Sequence, residues 1–389
     1  MFKHIITVFI VTFFLNIGVT NAKVRGESFV DGLPSKILAE QRELLVHLPN
    51  NYHKNTHTNY PVLYLLDGQR NFNHAIGSLD LLNQSYMAQE MIIIAIKNTH
   101  RTRDFTPTYD ENYNRWGMSG GADKFLDFME QELIPYVDKS YRTNNFKILS
   151  GHSLSGLLTV YALQSRPQLF QAHFAFSPSL WWHDQVIFKQ AESFLANTTE
   201  LNNYLYLNLA DEGGNMLSAF EKYTKLLKKQ TIKGFNYHSE IDERENHGTS
   251  ALIGQTLAFR YLYNTLQCPQ EIIAQGLPAI ENFYKKQSTK YGYQIKPSYS
   301  TITQAGKNAL YRKEIIKAIT FFEFNVKNYP NIADGYSRLA YALEADGQFE
   351  KALKMTNLAI NKSVQENVES NSFKHHKAHL LALINNNKL

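Results

Sequence analysis

Three kinds of side chain in this sequence, taken in chain order, could together perform nucleophilic catalysis. Ser153 lies in "FKILSGHSLSG", between an apolar run and a helical pattern. The acidic pair Asp211 and Glu212 follows the apolar run "YLYLNLA", and His247 lies in the polar loop "SEIDERENHGTS". A histidine can take the proton of a serine hydroxyl while an acid holds the imidazole in place. The order serine, acid, histidine therefore predicts serine-based cleavage of carboxylic esters.

The segment around Ser153 predicts a sharp turn from a strand into a helix. The usual spacing is Gly-x-Ser-x-Gly, and here Gly151 fills the first glycine position while Ser155 replaces the second. Ser155 is still one of the smallest side chains, so the motif is weakened but not lost. Ser150 and Ser155 are rival hydroxyls, and the turn geometry favours neither as the nucleophile.

The identity of the acid stays open at this point. Asp211 is the first choice because it stands directly at the predicted strand end, and Glu212 is the alternative because strand ends are uncertain by a few residues. Acids here would also favour the N-terminus of the helix that follows. Among the 14 histidines, His247 has both the loop position and the chain order that a base requires.

Two turns are predicted to supply backbone N–H donors for an oxyanion. Leu154 follows the nucleophile directly and offers the first donor. The loop in "YLLDGQRNF" offers the second, at Gly68 or Gln69.

Two further segments carry candidate substrate contacts. Trp181, in "SPSLWWHD", is placed to face an acyl or aryl group. Arg101 and Arg103, in "HRTRDFTPT", could hold an anionic substrate or pair with neighbouring acids.

Short apolar runs alternate with helical patterns between residues 35 and 275. Several of these runs are continuously apolar, which is typical of parallel strands buried on both faces. Strands are predicted at 44–49, 60–68, 91–96, 146–151, 172–178 and 204–211, and helices at 122–141, 155–165 and 214–230. This order predicts an α/β fold, specifically an α/β-hydrolase sheet with helices on both faces, over residues 23–275.

The pattern becomes purely helical toward the C-terminus. We expect a linker at 276–295 and a small all-α domain at 296–389. Ala318 and Ala352 stand 34 positions apart, the tetratricopeptide period, and the region resembles that repeat family over about one and a half repeats. The alternative is a helical hairpin that caps the main domain.

The N-terminal 22 residues have the pattern of a secretory signal peptide. A basic Lys3 precedes an apolar run that ends at Leu15, and small residues lead to Ala22. The run is shorter than the roughly 20 residues that span a bilayer. These features predict a periplasmic or secreted protein that begins at Lys23, without a stable membrane anchor.

Composition excludes several other classes. Cys268 is the single cysteine of the sequence, which rules out an internal disulfide. The net charge of +5 is spread along the chain, so a nucleic-acid partner is not expected. His375 and His379 have helical i, i+4 spacing but lack a third ligand, and neither a metal nor a cofactor is predicted.

Taken together, these segments resemble the family of serine esterases that includes esterase D type enzymes and enterobactin-type siderophore esterases. The resemblance covers about residues 35–265 and rests on "YPVLYLLDGQRNF", "TRDFTPT", "ILSGHSLSG", "FSPSLWW" and "ENHG". It implies Ser153 as nucleophile and His247 as base, with a small-molecule ester as substrate. Some siderophore esterases of this family work largely with a serine–histidine pair, so the resemblance does not identify the acid.

Three alternatives to simple ester hydrolysis stay open. The resemblance implies a siderophore trilactone esterase as one of them. An acyltransferase would use the same acyl-enzyme. A non-enzymatic interaction protein would use the helices of 296–389 to bind a protein partner.

Overall fold

The computed structural model describes residues 25–386 except 51, 54, 55, 86, 265 and 367. The predicted signal peptide, 1–22, lies outside the described residues and stays a prediction. Within the described part, no helix has both the length and the apolar character that crossing a membrane requires.

The described strands form one mixed sheet of eight, in the order β1-β2-β4-β3-β5-β6-β7-β8. The antiparallel pairs are β1 with β2 and β2 with β4, and all other neighbours are parallel. The strands are β1 (Glu27–Ser35), β2 (Glu40–Leu48), β3 (Tyr60–Leu65), β4 (Ile92–Ile96), β5 (Thr143–His152), β6 (Ala172–Phe176), β7 (Tyr204–Ala210) and β8 (Asn236–Asp242). The carboxyl ends of the parallel strands therefore meet along one edge, where α/β sheets bind their ligands.

Helices cover both faces of this sheet, and a run of further helices follows it in the chain. They are α1 (Gly68–Gln84), α2 (Arg101–Phe105), α3 (Ala122–Phe128), α4 (Ile134–Ser140), α5 (Leu154–Ser165), α6 (Trp182–Gln185), α7 (Ile187–Asn197), α8 (Gly214–Lys228), α9 (Ser250–Asn264), α10 (Gln270–Gln275), α11 (Leu277–Tyr291), α12 (Tyr299–Tyr311), α13 (Ile315–Asn328), α14 (Ala333–Ala345), α15 (Phe349–Glu366) and α16 (Asn371–Asn386). The predicted helix 122–141 comprises α3, a π-helical turn and α4. The prediction of an α/β-hydrolase sheet followed by an all-helical region is confirmed.

The apolar strands are buried because the sheet has a core on each side. All six residues of β3 are buried. Val62 and Tyr64 join the core on one face, and Leu63 and Leu65 join the core on the other. A strand buried on both faces has no polar positions, which explains its continuous apolar run.

The outer strands β1 and β8 are not among the strands predicted from the sequence, because neither has a continuous apolar run. The β1 strand alternates exposed and partly buried residues, and Val30 is 64% exposed. The β8 sequence "NYHSEID" is mostly polar and half-buried. An edge strand with one solvated face lacks the apolar run that identifies a central strand.

The segment that leads into the C-terminal helices packs against the hydrolase sheet. Segment 276–295, predicted as a linker, is mostly the helix α11. The Tyr291 ring lies 5.5 Å from the ring of Phe146 and stacks at 5.2 Å on Tyr204, near the amino ends of β5 and β7. One apolar core runs from this side of the sheet into the C-terminal helices.

The helices beyond α11 repeat with the predicted period. Helices α12 and α14 begin 34 residues apart, as do α13 and α15. The two pairs pack consecutively, and α16 packs on α15. Assignment to the tetratricopeptide family stays a prediction.

Candidate active site

Ser153 occupies the strained turn between β5 and α5. Its backbone dihedrals are φ 63° and ψ −118°, which few residues other than glycine adopt. Its N–H donates to the Phe176 carbonyl at 2.9 Å, and its own carbonyl accepts from Leu157 N–H at 2.9 Å. A Cβ at Gly151 would lie 2.3 Å from the Ser155 carbonyl oxygen, so the turn requires glycine there. Backbone strain of this kind is typical of functional sites.

A hydrogen-bonded chain joins Ser153 to a histidine and an acid. Ser153 Oγ lies 3.0 Å from His247 Nε2, and His247 Nδ1 lies 2.7 Å from Glu212 Oε2. Glu212 follows β7 and His247 follows β8, so adjacent parallel strands deliver both groups to the edge where β5 ends. In the neutral tautomer with the proton on Nδ1, the imidazole can accept the serine proton at Nε2.

The carboxylate that contacts His247 belongs to Glu212 and not to Asp211, the first choice from the sequence. Asp211 is exposed, and its N–H donates to the Glu245 carbonyl at 2.9 Å. This bond ties the backbone after β7 to the turn that follows β8, beyond the last strand pair Ala210–Asp242. Ala210 is buried, Asp211 is exposed, and Glu212 is half-buried with its carboxylate on the histidine.

Glu212 is held as a carboxylate. Burial alone would raise the pKa of Glu212, but hydrogen bonds from His247 and from Ser177 Oγ, the latter at 2.5 Å, together lower it below its usual value. Ser177 follows β6, at the same edge of the sheet. Its role was missed in the sequence, although a polar residue directly after a buried strand is the kind of signal that identifies this edge.

The predicted oxyanion donors are only partly brought together. Leu154 is the first residue of α5 and Gln69 the second of α1, so neither N–H has an acceptor within its own helix. Gln69 and Ser153 line the same pocket. Gly68 instead packs on β4, where an added Cβ would lie 2.8 Å from the Ala95 carbonyl carbon. The geometry therefore favours Gln69 over Gly68 as the second donor.

The pocket at Ser153 has a volume of about 290 Å³. It is walled mainly by polar and charged side chains. The lining residues are Asp67, Gln69, Arg70, Asn98, Arg101, His152, Ser153 and His247.

Ser155, which replaces the expected glycine, connects the serine turn to the loop that carries Gln69. Its Oγ donates to Asp67 Oδ2 at 2.6 Å and accepts from His152 N–H at 2.7 Å. Asp67 also accepts two hydrogen bonds from Arg101, at 2.7 and 2.9 Å. Burial alone would raise the pKa of Asp67, but the bonds from Arg101 and Ser155 lower it. The hydroxymethyl group therefore has a specific place in the site.

His152 supports the loop that carries His247. The His152 ring lies 4.7 Å from the His247 ring, and its Nε2–H donates to the His247 carbonyl at 2.6 Å. Burial, followed by the nearby His247, lowers the pKa of His152 to about 4, so this ring is neutral at pH 7. The sequence reading missed this role, because a histidine beside the nucleophile gives no separate signal.

Two predicted substrate contacts lie away from the pocket lining. The Arg103 guanidinium pairs with Glu40 at 2.8 Å and with Asp104 at 2.7 Å. The Trp181 indole N–H donates to Met216 Sδ at 2.9 Å. Both side chains make structural contacts, and Arg101, two residues before Arg103, is the arginine of this segment that lines the pocket.

Of the two histidines with i, i+4 spacing near the C-terminus, His379 belongs to an acid–histidine cluster, in which its companion is His376 and not His375. His376 and His379 both contact the Glu344 carboxylate, at 2.6 and 2.9 Å. Across the described residues, no group of three or more His, Cys, Asp or Glu side chains is arranged to hold a metal ion.

The sheet order and the strand-to-helix turn at Ser153 define an α/β-hydrolase. Residues 35–239 match the sequence profile of the Esterase family, described as "Putative esterase". The chain belongs to this family.

Individual relatives carry more specific descriptions. The chain is 30% identical over 169 residues to the ferri-bacillibactin esterase BesA of Bacillus subtilis, covering 39% of this chain and 58% of BesA. It is 32% identical over 148 residues to the siderophore triacetylfusarinine C esterase of Aspergillus fumigatus, covering 35% of this chain and 49% of that enzyme. The chain thus spans about half the length of the curated relatives it matches.

Two solved structures extend the comparison. An IroE-like serine hydrolase from Shewanella oneidensis superposes with a TM-score of 0.66 at 27% identity, over 74% of this chain and 95% of the other. A protein from Capnocytophaga ochracea superposes with a TM-score of 0.61 at 15% identity, over 92% of this chain and 100% of the other. The second likeness shows that a shared fold extends beyond the hydrolase sheet.

Proposed function

We propose that this protein is a serine hydrolase that cleaves carboxylic esters through an acyl-Ser153 intermediate. The observation that carries the proposal is the continuous chain from Ser153 Oγ through the His247 ring to Glu212, with contacts of 3.0 and 2.7 Å. Membership of the Esterase family supports the same chemistry.

The geometry supports a two-stage reaction. His247 Nε2 takes the proton of Ser153 as Oγ attacks the ester carbonyl, and then gives that proton to the leaving alcohol. An acyl-serine remains. Water attacks the acyl carbon while Nε2 takes one of its protons, and that proton returns to Ser153 Oγ as the acid leaves. Glu212 stays ionised throughout and stabilises the imidazolium formed in each stage.

The negative charge on the carbonyl oxygen would be met by backbone donors. The N–H groups of Leu154 and Gln69 belong to the first turns of α5 and α1. Their positions are therefore fixed by these helices before substrate binds. Loss of one such donor in other hydrolases costs about 3–4 kcal/mol of transition-state stabilisation.

The test is turnover of 4-nitrophenyl esters by Ser153→Ala. We expect turnover to fall at least about 10³-fold with little change in melting temperature. Ser150→Ala is the matched control, since its buried hydroxyl donates to Gln255 Oε1 at 2.7 Å and Ser150 is not among the residues that line the pocket. Undiminished turnover in Ser153→Ala would exclude this serine as the nucleophile.

A fluorophosphonate probe separates an enzyme from a non-enzymatic binding protein. We expect the probe to modify Ser153, identified by mass spectrometry of the labelled peptide. An intact protein without any modification would favour an interaction role for the C-terminal helices.

A siderophore ester is the second candidate substrate, because the relative from A. fumigatus is described as a siderophore esterase and the relative from B. subtilis as a ferri-bacillibactin esterase. A side-by-side assay of a catecholate trilactone and simple acyl esters decides between the two. Analysis of products in the presence of added alcohols would reveal acyl transfer in place of hydrolysis.

Export is proposed from residues 1–22. The expected mature protein begins at Lys23, and N-terminal sequencing of the protein recovered from the periplasm or the medium tests this. An intact Met1 on the recovered protein would contradict it.

A further inference from the structure

The charges that line the catalytic pocket do not cancel. Asp67 and Arg101 form a bidentate ion pair and neutralise each other. Arg70 is a second arginine in the lining. Among the residues described, Arg70 has no carboxylate partner, and its guanidinium donates a hydrogen bond to the Gly248 carbonyl at 2.8 Å.

This contact places the Arg70 guanidinium beside the reacting groups. Gly248 directly follows His247, and a Cβ added at Gly248 would lie 3.6 Å from Arg70 Nη2. One hydrogen bond to a neutral carbonyl leaves the positive charge uncompensated and several N–H donors for a ligand. Arg70 also lies in the first turn of the 17-residue helix α1, whose positive end faces the same pocket.

We infer that Arg70 is a specificity residue that favours esters with a carboxylate near the scissile carbonyl. A guanidinium binds a carboxylate through two parallel N–H bonds, which gives orientation as well as attraction. The inference rests on the proposed function, because it assigns a substrate class to that same site. It differs from the prediction for Arg103, whose guanidinium is already paired with acids.

The test compares matched esters that differ only in this charge. On the acyl side, 4-nitrophenyl hydrogen glutarate is paired with its neutral methyl ester. On the alcohol side, 4-acetoxybenzoate is paired with methyl 4-acetoxybenzoate. The spontaneous hydrolysis of each ester in the same buffer is subtracted as background, and the measured quantity is the kcat/KM of the anionic ester divided by that of its neutral partner.

We expect this ratio to exceed about fivefold in at least one pair at low ionic strength, the equivalent of about 1 kcal/mol for an exposed ion pair. It should fall toward one in Arg70→Gln, drop below one in Arg70→Glu and stay partly retained in Arg70→Lys. High salt should reduce it in the unmodified protein, because an exposed pair is screened. Arg260→Gln, which removes an exposed arginine on α9 outside the pocket lining, should leave the ratio unchanged.

The possible failures are distinguishable. Arg70 could serve only to brace the His247 loop through Gly248, in which case its loss slows both esters equally and the ratio does not move. That result, or a ratio near one in both pairs for the unmodified protein, overturns this inference while ester hydrolysis stands. Absence of turnover of every ester, with Ser153 unlabelled by fluorophosphonate, overturns the proposed function instead. If Arg70→Gln does not fold, the salt dependence of the ratio measured on the unmodified protein decides.

Discussion

The two ends of strand β5 differ in chemistry although they belong to one strand. At the amino end, Phe146 is buried against Tyr291 and Tyr293 of the C-terminal region, with ring centroids at 5.5 and 5.3 Å. At the carboxyl end, Ser153 turns into a charged pocket with its backbone at positive φ. Six residues of extended chain lie between Phe146 and Ser153, a span of roughly 20 Å.

This difference shows how the molecule separates stability from function. The amino end is stabilised by apolar and aromatic packing, which tolerates no cavity but demands no exact orientation of polar groups. The carboxyl end keeps a strained turn and buried polar groups in place through hydrogen bonds. The two ends should therefore respond independently to mutation.

The largest expected effect is at the carboxyl end, in the acid. We expect Glu212→Gln to lower kcat for a 4-nitrophenyl ester by about 10³-fold or more, because an amide can hold the imidazole in the wrong tautomer. Asp211→Asn is the control and should stay within about twofold. A large loss in Asp211→Asn would return the role to that residue, and near-normal turnover in Glu212→Gln would indicate a serine–histidine pair.

The opposite pattern is expected at the amino end. Phe146→Ala should lower the free energy of unfolding by about 3–5 kcal/mol, the usual cost of removing a buried aromatic ring. The folded fraction should keep kcat within about twofold. Urea unfolding and turnover on the same preparation measure both, and Phe146→Leu should cost less. A loss of kcat in the folded protein would show that the two ends are coupled.

Asp67→Asn should lower the free energy of unfolding and make that free energy less sensitive to acid. Asparagine tolerates the left-handed backbone at this position, φ 53°, so the change mainly removes the charge that Arg101 contacts. We expect a loss of about 2–3 kcal/mol at pH 7, below the full cost of breaking a buried pair because Arg101 is partly exposed.

The pH dependence follows from the pKa of Asp67, which folding lowers. Its contribution to stability is complete above the unfolded pKa, near 3.8, and is lost as the pH falls through the lower folded value. The difference in the free energy of unfolding between Asp67→Asn and the unmodified protein, measured by urea unfolding, should therefore become smaller as the pH falls from 5 to 2. A constant difference would show that the carboxylate charge is not what Arg101 stabilises.

The smallest expected effect concerns Ser155. Ser155→Ala removes the donor to Asp67 and the acceptor of His152 N–H, and should cost about 1–2 kcal/mol of stability with a loss of kcat of a few fold. Ser155→Gly restores the usual motif but should be no more active, because the same two bonds are lost. Higher activity in Ser155→Gly would show that the hydroxyl does not help to position the turn.

Much of this site could be predicted because local signals coincide with it. The apolar run before Ser153 and the helical pattern after it require a turn, and the small residues at 151 and 155 permit that turn. The position of His247 followed from chain order and its polar loop. These inferences use neighbours in sequence, and the structure brings Ser153 and His247 within hydrogen-bonding distance.

Other features of the molecule could not be predicted, because they depend on contacts between residues that are distant in sequence. Nothing near Arg103 shows that Glu40 lies beside it, 63 residues away. Likewise, nothing near Tyr291 in the predicted linker shows that its ring contacts Phe146 and Tyr204 on the sheet.

By itself, the sequence determined the α/β-hydrolase sheet, the helical C-terminal region and the positions of Ser153 and His247, because periodicity and turn chemistry are local properties. Only the tertiary structure distinguishes Asp211 from Glu212. The two acids give the same local signal after β7, but Asp211 is exposed while the Glu212 carboxylate lies 2.7 Å from His247 Nδ1, a contact between residues 35 positions apart. Tertiary structure also decided that the hydroxyl of Ser155 meets Asp67, because those residues come from different strand ends that only the folded sheet brings together.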